Sequence, residues 1–189
     1  MPGVMGAIAT QQTSSAMTAL AATTTVPATD RPRVAAAGAF VLGLATILGA
    51  LGSQFIGRLE PCELCYTQRL PYYIGLPLLA VLLIGWNRLP RAALVGGLVV
   101  VAAIFVWSTY LGGYHAGVEY GWFPGPTSCT GVGGGLSFDQ LNNINAARVI
   151  PCDQVQFELF GISLAGFNAL ISAAIVAVLG WAALTKARA

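Results

Sequence analysis

Charge is what this chain has least of. Asp, Glu, Lys and Arg make up 8% of its 189 residues while 56% are hydrophobic; a soluble domain carries roughly 25% charged residues. So little polar surface excludes a water-soluble globular protein and points to a single integral membrane domain. The basic residues form no cluster, which removes the electrostatic basis for nucleic-acid binding. Glycine patterns of the Rossmann or P-loop kind are missing, and no Cys-x-x-Cys is followed by the histidine of a haem attachment site. Histidine occurs once, as His115, and only two of the four cysteines are closely spaced. A structural zinc centre, which takes four ligands, is therefore poorly supplied.

What is there is apolar and concentrated in four stretches: 34–57, 70–86, 92–113 and 161–184. A membrane span takes roughly 20 residues at about 1.5 Å each. The second stretch is short as drawn, and a helix starting at Cys65 brings it to full length. Backbone groups in lipid must pair within the segment, so each stretch is predicted to be a helix. The expected fold is an all-α bundle of four transmembrane helices with one short and one long outer loop. No charged residue lies inside the stretches as drawn, which argues against a buried proton relay or ion path.

Four crossings put both termini on one side. Arg31, Arg33, Arg88, Arg91, Lys186 and Arg188 flank that side; the other holds Arg58, Arg69 and Arg148 against Glu60, Glu63, Glu119, Asp139, Asp153 and Glu158. The excess of positive charge places the termini in the cytoplasm and the loops 58–69 and 114–160 outside. Trp86 and Trp181 at inner ends, and Tyr72, Tyr73, Trp107 and Tyr110 at outer ends, suit interfacial belts and equally suit packing.

Residues 1–33 are rich in Ala and Thr, contain Pro27 and Pro32, and lack a periodic apolar face. They read as a disordered cytoplasmic extension, or as an upstream start, ahead of a membrane domain at 34–189. No basic segment precedes an apolar core within them, so the first span is expected to be an uncleaved signal anchor. NRLPR at 87–91 is a short turn between antiparallel helices, and Pro77 is expected to kink the second helix. The long loop has a helix signal of its own: Ser137 with Gln140 as a capping box, Leu136 with Leu141 as a staple, and Phe138, Leu141 and Ile144 on one face. That predicts a short amphipathic helix near the bilayer surface.

All four cysteines, Cys62, Cys65, Cys129 and Cys152, fall in the outer loops, where disulfides persist. Four cysteines permit three connectivities. Local spacing selects one, joining Cys62 to Cys65 in a Cys-x-x-Cys and leaving Cys129 with Cys152. A helix N-terminus and a nearby cation lower a thiol's pKa, and Arg69, one helical turn after Cys65, supplies the cation. Cys129 precedes the flexible GVGGG at 131–135, so its disulfide can be offered to a partner. A staple closing the loop, worth roughly 3 kcal/mol, is the alternative, but a neighbouring Cys-x-x-Cys favours exchange. With no soluble cofactor motif present, a membrane quinone is the natural acceptor of two electrons, held by Arg69 beside Cys65.

PCELCYTQR at 61–69, opening the second helix, resembles the motif of the disulfide bond formation protein B (DsbB) family. GVEYGWFPGPTSC at 117–129 and PCDQVQFELFGISLAGFNAL at 151–170 are similar to its bacterial branch, and the likeness covers nearly everything after residue 33. It implies a bacterial inner-membrane thiol:quinone oxidoreductase with Cys62, Cys65, Cys129 and Cys152 catalytic. A reduced DsbA-like thioredoxin-fold protein would attack through Cys129, Cys152 would then attack Cys62, and Cys65 would face the quinone. Ubiquinone is the expected cofactor and menaquinone the alternative. Arg69 matches the family's quinone-contacting arginine, and His115 is similar in placement to a family histidine near the quinone, although a hydrogen-bonded interfacial role suits it as well. Gln68 reads as packing, and Glu63 as tuning the potential or facing solvent. The other readings are a vitamin K epoxide reductase-like enzyme, whose Cys-x-x-Cys ends a later helix, and a non-enzymatic protein with disulfide-stapled loops.

Overall fold

A computed structural model describes residues 30–126 and 151–188. Within them the chain is mostly helical. Helix α1 is Arg31–Phe55, the short α2 is Glu63–Thr67, α3 is Leu70–Ile84 and α4 is Arg91–Glu119. A hairpin of β1, Glu158–Leu159, and β2, Ile162–Ser163, leads into α5, Leu164–Arg188. Four segments, with α2 and α3 counted as one, are long and apolar enough to cross a membrane.

Buried positions explain why these helices associate. On α4 the inward residues include Leu94, Leu98, Val101, Phe105, Ser108, Gly112 and His115, alternating steps of four and three. On α1 they are Pro32, Ala36, Ala39, Gly43 and Ile47. Steps of three and four keep one apolar seam of each helix against its neighbours. The outer faces carry exposed Val41, Leu48, Ile74, Val81, Val99 and Val106, as lipid-facing surfaces should.

The second span does not run as one helix. Pro71 has no N–H and its ring crowds the carbonyl four residues earlier, so the ladder of α2 stops and Arg69 N–H turns to the Tyr66 carbonyl at 3.0 Å. Pro71 then sits at the start of α3, where a missing N–H costs nothing.

The third helix differs more from the sequence expectation, which ended it at residue 113 and began a loop at 114. It continues to Glu119 because nothing breaks it earlier. The stop comes at Gly121, whose positive φ of 72° reverses the chain. Tyr72 and Trp86 prove to be packing residues, 2% and 3% exposed, whereas Tyr73, Trp107, Tyr110 and Trp181 do face outward. The hairpin was not anticipated: its signal, Phe160-Gly161 with φ of 53° and 78°, lacks the usual Asn-Gly. The capping box at Ser137–Gln140, and Leu141 and Ile144 with it, lie outside the described residues.

Close approach of α4 to α5 depends on Gly112. A Cβ there would meet Ala169 N at 2.8 Å and the Ala165 carbonyl at 3.0 Å, and backbone atoms cannot step aside. Gly112→Leu is expected to lower the thermal midpoint in detergent, with a cost of about 1–3 kcal/mol or more from overpacking. Gly113→Ala, where a Cβ meets nothing within 4 Å, should leave it unchanged or slightly raised.

Candidate active site

The site forms where the C-terminal ends of α1 and α4 meet α2 and the N-terminal end of α5. Cys62 is the N-cap of α2, and its sulfur accepts the Cys65 N–H at 3.2 Å. The two sulfurs lie 2.7 Å apart and are not bonded to one another. Either sulfur can donate to the other. Their separation is too short for two zinc thiolates, which at about 2.3 Å from a tetrahedral ion stand roughly 3.8 Å apart. Among the described residues their grouping with His115 offers three ligand atoms, one fewer than a structural zinc centre takes.

Cys62 precedes the spanning helix, and its thiol is drawn down from 9.0 to about 5. The hydrogen bond from Cys65 does most of this. His115 Nε2, 3.6 Å away, and the Cys65 N–H assist, while burial opposes them. The reduced protein should therefore show thiolate absorbance with a midpoint near pH 5 instead of 9, moved upward by Cys65→Ala. Between those pH values the folded reduced chain binds fewer protons than the unfolded one. Its stability accordingly rises with pH through this window and is lost as pH falls through about 5. A pH-independent thermal midpoint for the reduced protein would contradict the assignment.

Cys152 is 1% exposed and packs against Cys62 and Leu64, with Cys65 and Tyr114 at the edge of the group. It is disulfide-bonded. Its segment is tied to the first outer loop by Gln156, whose amide donates to the Glu60 carbonyl at 2.8 Å. Cys129 lies outside the described residues.

Arg69 is 8% exposed and reaches α1 rather than the sulfurs. Its Nη1 donates to Gln54 Oε1 at 2.5 Å and its Nη2 to the Ala50 carbonyl at 3.3 Å. The guanidinium also lies 5.3 Å from the Tyr66 ring centre. The group assisting the Cys62 thiolate is hence His115, where the sequence pointed to Arg69. Arg69 instead lines a cavity of about 380 Å³ together with Cys62, Cys65, Gln68, His115 and Glu119. The rest of its wall is largely apolar, which suits a flat, greasy head group.

Three polar residues that sequence reasoning passed over or read as packing belong to the site. Gln68 bonds His115 Nδ1, Asn168 on α5 donates to Gln68 Oε1 at 2.6 Å, and Glu119 lies 3.9 Å from His115 Nε2. The residues excluded from the third stretch by its early end, His115 and Glu119, are buried at the helix terminus, so titratable groups do lie inside a spanning helix. Their signal was the spacing: four residues apart, they share a face.

A vicinal thiol pair, a third cysteine packed against it and a lined cavity at one end of four membrane-spanning helices define a membrane disulfide oxidoreductase. The family model described as "Disulfide bond formation protein DsbB" matches residues 32–182, and the chain belongs to that family. No curated protein and no solved structure matches it.

Proposed function

We propose that this protein reoxidises a DsbA-like thioredoxin-fold protein outside the cytoplasmic membrane of a bacterium and delivers the electrons to membrane quinone. The observation that carries this reading is the burial of Cys152 against Cys62, with Cys65 and Arg69 opening onto one cavity. A disulfide joining Cys129 to Cys152 would take the partner's attack at Cys129. Released Cys152 then lies beside Cys62 for the next exchange, which requires sulfur-to-sulfur attack.

Cys65 and Arg69 would hold a quinone, the first against its ring and the second at an oxygen. Bound there, ubiquinone or menaquinone takes up two electrons and two protons from the dithiol. The chain itself keeps the sulfurs within bonding reach, presents a fixed positive charge where negative charge develops, and keeps water from the apolar wall. The positive-inside distribution supports cytoplasmic termini and periplasmic cysteine loops.

The test is turnover. Purified protein in detergent, given reduced DsbA-like protein and a short-chain ubiquinone, should consume quinone catalytically, as followed by its absorbance. Failure with ubiquinone and menaquinone alike, on fully folded protein, would favour loops that are merely stapled.

A further inference from the structure

Reduction of the Cys62–Cys65 pair brings two protons with two electrons, and a single hydrogen bond between the two sulfurs engages only one of them. The second needs a place. Two titratable groups face the pair from α4, His115 and Glu119, whose side chains are 3% and 7% exposed. Hydrogen bonding decides between them.

Tyr72 donates its hydroxyl proton to Asn168 Oδ1 at 2.6 Å, and Asn168 Nδ2 donates to Gln68 Oε1 at 2.6 Å. Gln68 is thereby turned so that its amide nitrogen faces His115 Nδ1. An amide N–H can only donate, so Nδ1 must keep its lone pair and the ring proton sits on Nε2. Further along, Ser172 lies 3.0 Å from the Tyr72 oxygen and 2.9 Å from Ser108, which gives the chain an anchor inside the bundle. A second proton on the imidazole would require Tyr72, Asn168 and Gln68 to reverse together. His115 is left as a donor, its Nε2 flanked by Cys62 and Glu119, and the ring also bonds the Cys152 backbone.

Glu119 carries the complementary signature. The Ser163 hydroxyl bonds its carboxylate, yet its buried Oε2 has no hydrogen-bond partner among the described residues, and the residue lines the cavity. A buried oxygen without a donor is costly as an anion and comfortable as an acid.

We propose that Glu119 holds the proton that leaves the cysteine pair on reduction, and that the Tyr72–Asn168–Gln68 chain keeps His115 neutral and out of that role. This rests on the redox reading above. The incoming dithiol gives up two electrons and two protons and forms its own disulfide. The Cys62–Cys65 bond breaks, one proton stays in the hydrogen bond between the two sulfurs, and the other passes across the cavity to the Glu119 carboxylate. When a quinone reoxidises the pair, both protons leave with the electrons and Glu119 returns to its anion. The groups facing Glu119 are His115 on its own helix, Cys62 and Cys65 from the α2 region, and Ser163 at the end of β2; Arg69 is turned to α1.

The first test, a spectroscopic one, needs neither quinone nor partner. Infrared difference spectra between the dithiol-reduced and oxidised full-length protein should show the carbonyl stretch of a protonated carboxyl, absent in Glu119→Gln. Because the chain has one histidine, nitrogen-15 histidine labelling reports His115 alone; it should remain the neutral Nε2–H form in both redox states near pH 7. In Asn168→Leu the freed Gln68 amide should let an imidazolium signal appear on reduction. Glu119→Gln should slow quinone reduction about 10²-fold while exchange with the partner changes less than about twofold, and Glu119→Asp should recover part of the loss. An imidazolium in reduced wild-type protein, or no carboxyl band, would overturn the proposal even if quinone turnover proceeds. Absent turnover with the carboxyl band present would instead count against the oxidase reading alone.

Discussion

Cys65→Ser is expected to abolish quinone reduction while leaving the protein able to exchange disulfides. Among the described residues the sulfur of Cys65 is the one group within 2.7 Å of Cys62 that can close a bond with it, and a serine hydroxyl at the same place is neither nucleophilic nor oxidisable at neutral pH. Cys62 would remain next to buried Cys152. The variant should therefore stall as a Cys62–Cys152 mixed disulfide, visible as a loop-to-loop crosslink on proteolysis under non-reducing conditions. Quinone absorbance should not change beyond background over many wild-type turnovers. Cys62 should also lose its acidity, since the hydrogen bond from Cys65 is the main cause of its thiolate character. Continued quinone consumption by this variant would mean that electrons leave by another sulfur, and the reading of the pair would be wrong.

How much of this was legible in the sequence can be seen at particular positions. The spans were legible because apolar length is a property of composition, and lipid leaves a helix as the only answer. The closeness of Cys62 and Cys65 was legible because it is local, although the expected disulfide between them is not formed in the structure. Helix ends were less so: α4 runs on to Glu119 because only Gly121, with its positive φ, stops it, and hydropathy had already fallen at Gly112-Gly113. That early end hid the two titratable groups of the site. Gln68 and Asn168 were invisible for another reason. Each is an ordinary polar residue alone, and the 2.6 Å bond between them joins positions a hundred residues apart. Arg69 was found by spacing but given the wrong neighbour. One turn after Cys65 along an unbroken helix would bring it to the sulfur, whereas Pro71 interrupts the ladder and the side chain goes to Gln54 and Ala50.

That placement makes Arg69 the second large prediction. Arg69→Met preserves much of the aliphatic stem and removes the charge, and it is expected to reduce kcat/KM for quinone by about 10²-fold, with exchange toward the partner unaffected. The loss should fall in both constants. A guanidinium fixed against a quinone oxygen binds the oxidised ring weakly and the developing anion strongly, and only the latter lowers the barrier. Arg69→Lys should recover little. A lysine carries the charge but cannot place two donors in the planar fork that Gln54 Oε1 and the Ala50 carbonyl accept here. Gln54→Leu then separates position from charge: it leaves the guanidinium in place with one anchor fewer, and should cost roughly tenfold, mainly in KM. If Arg69→Met and Gln54→Leu instead lowered only the thermal midpoint and left quinone kinetics intact, Arg69 would be a brace between α1 and the second span and nothing more. The cavity would then need another cation to answer the charge that forms in it. Among the described residues lining it Arg69 is the single Arg or Lys, so that outcome would count against quinone reduction at this site as a whole.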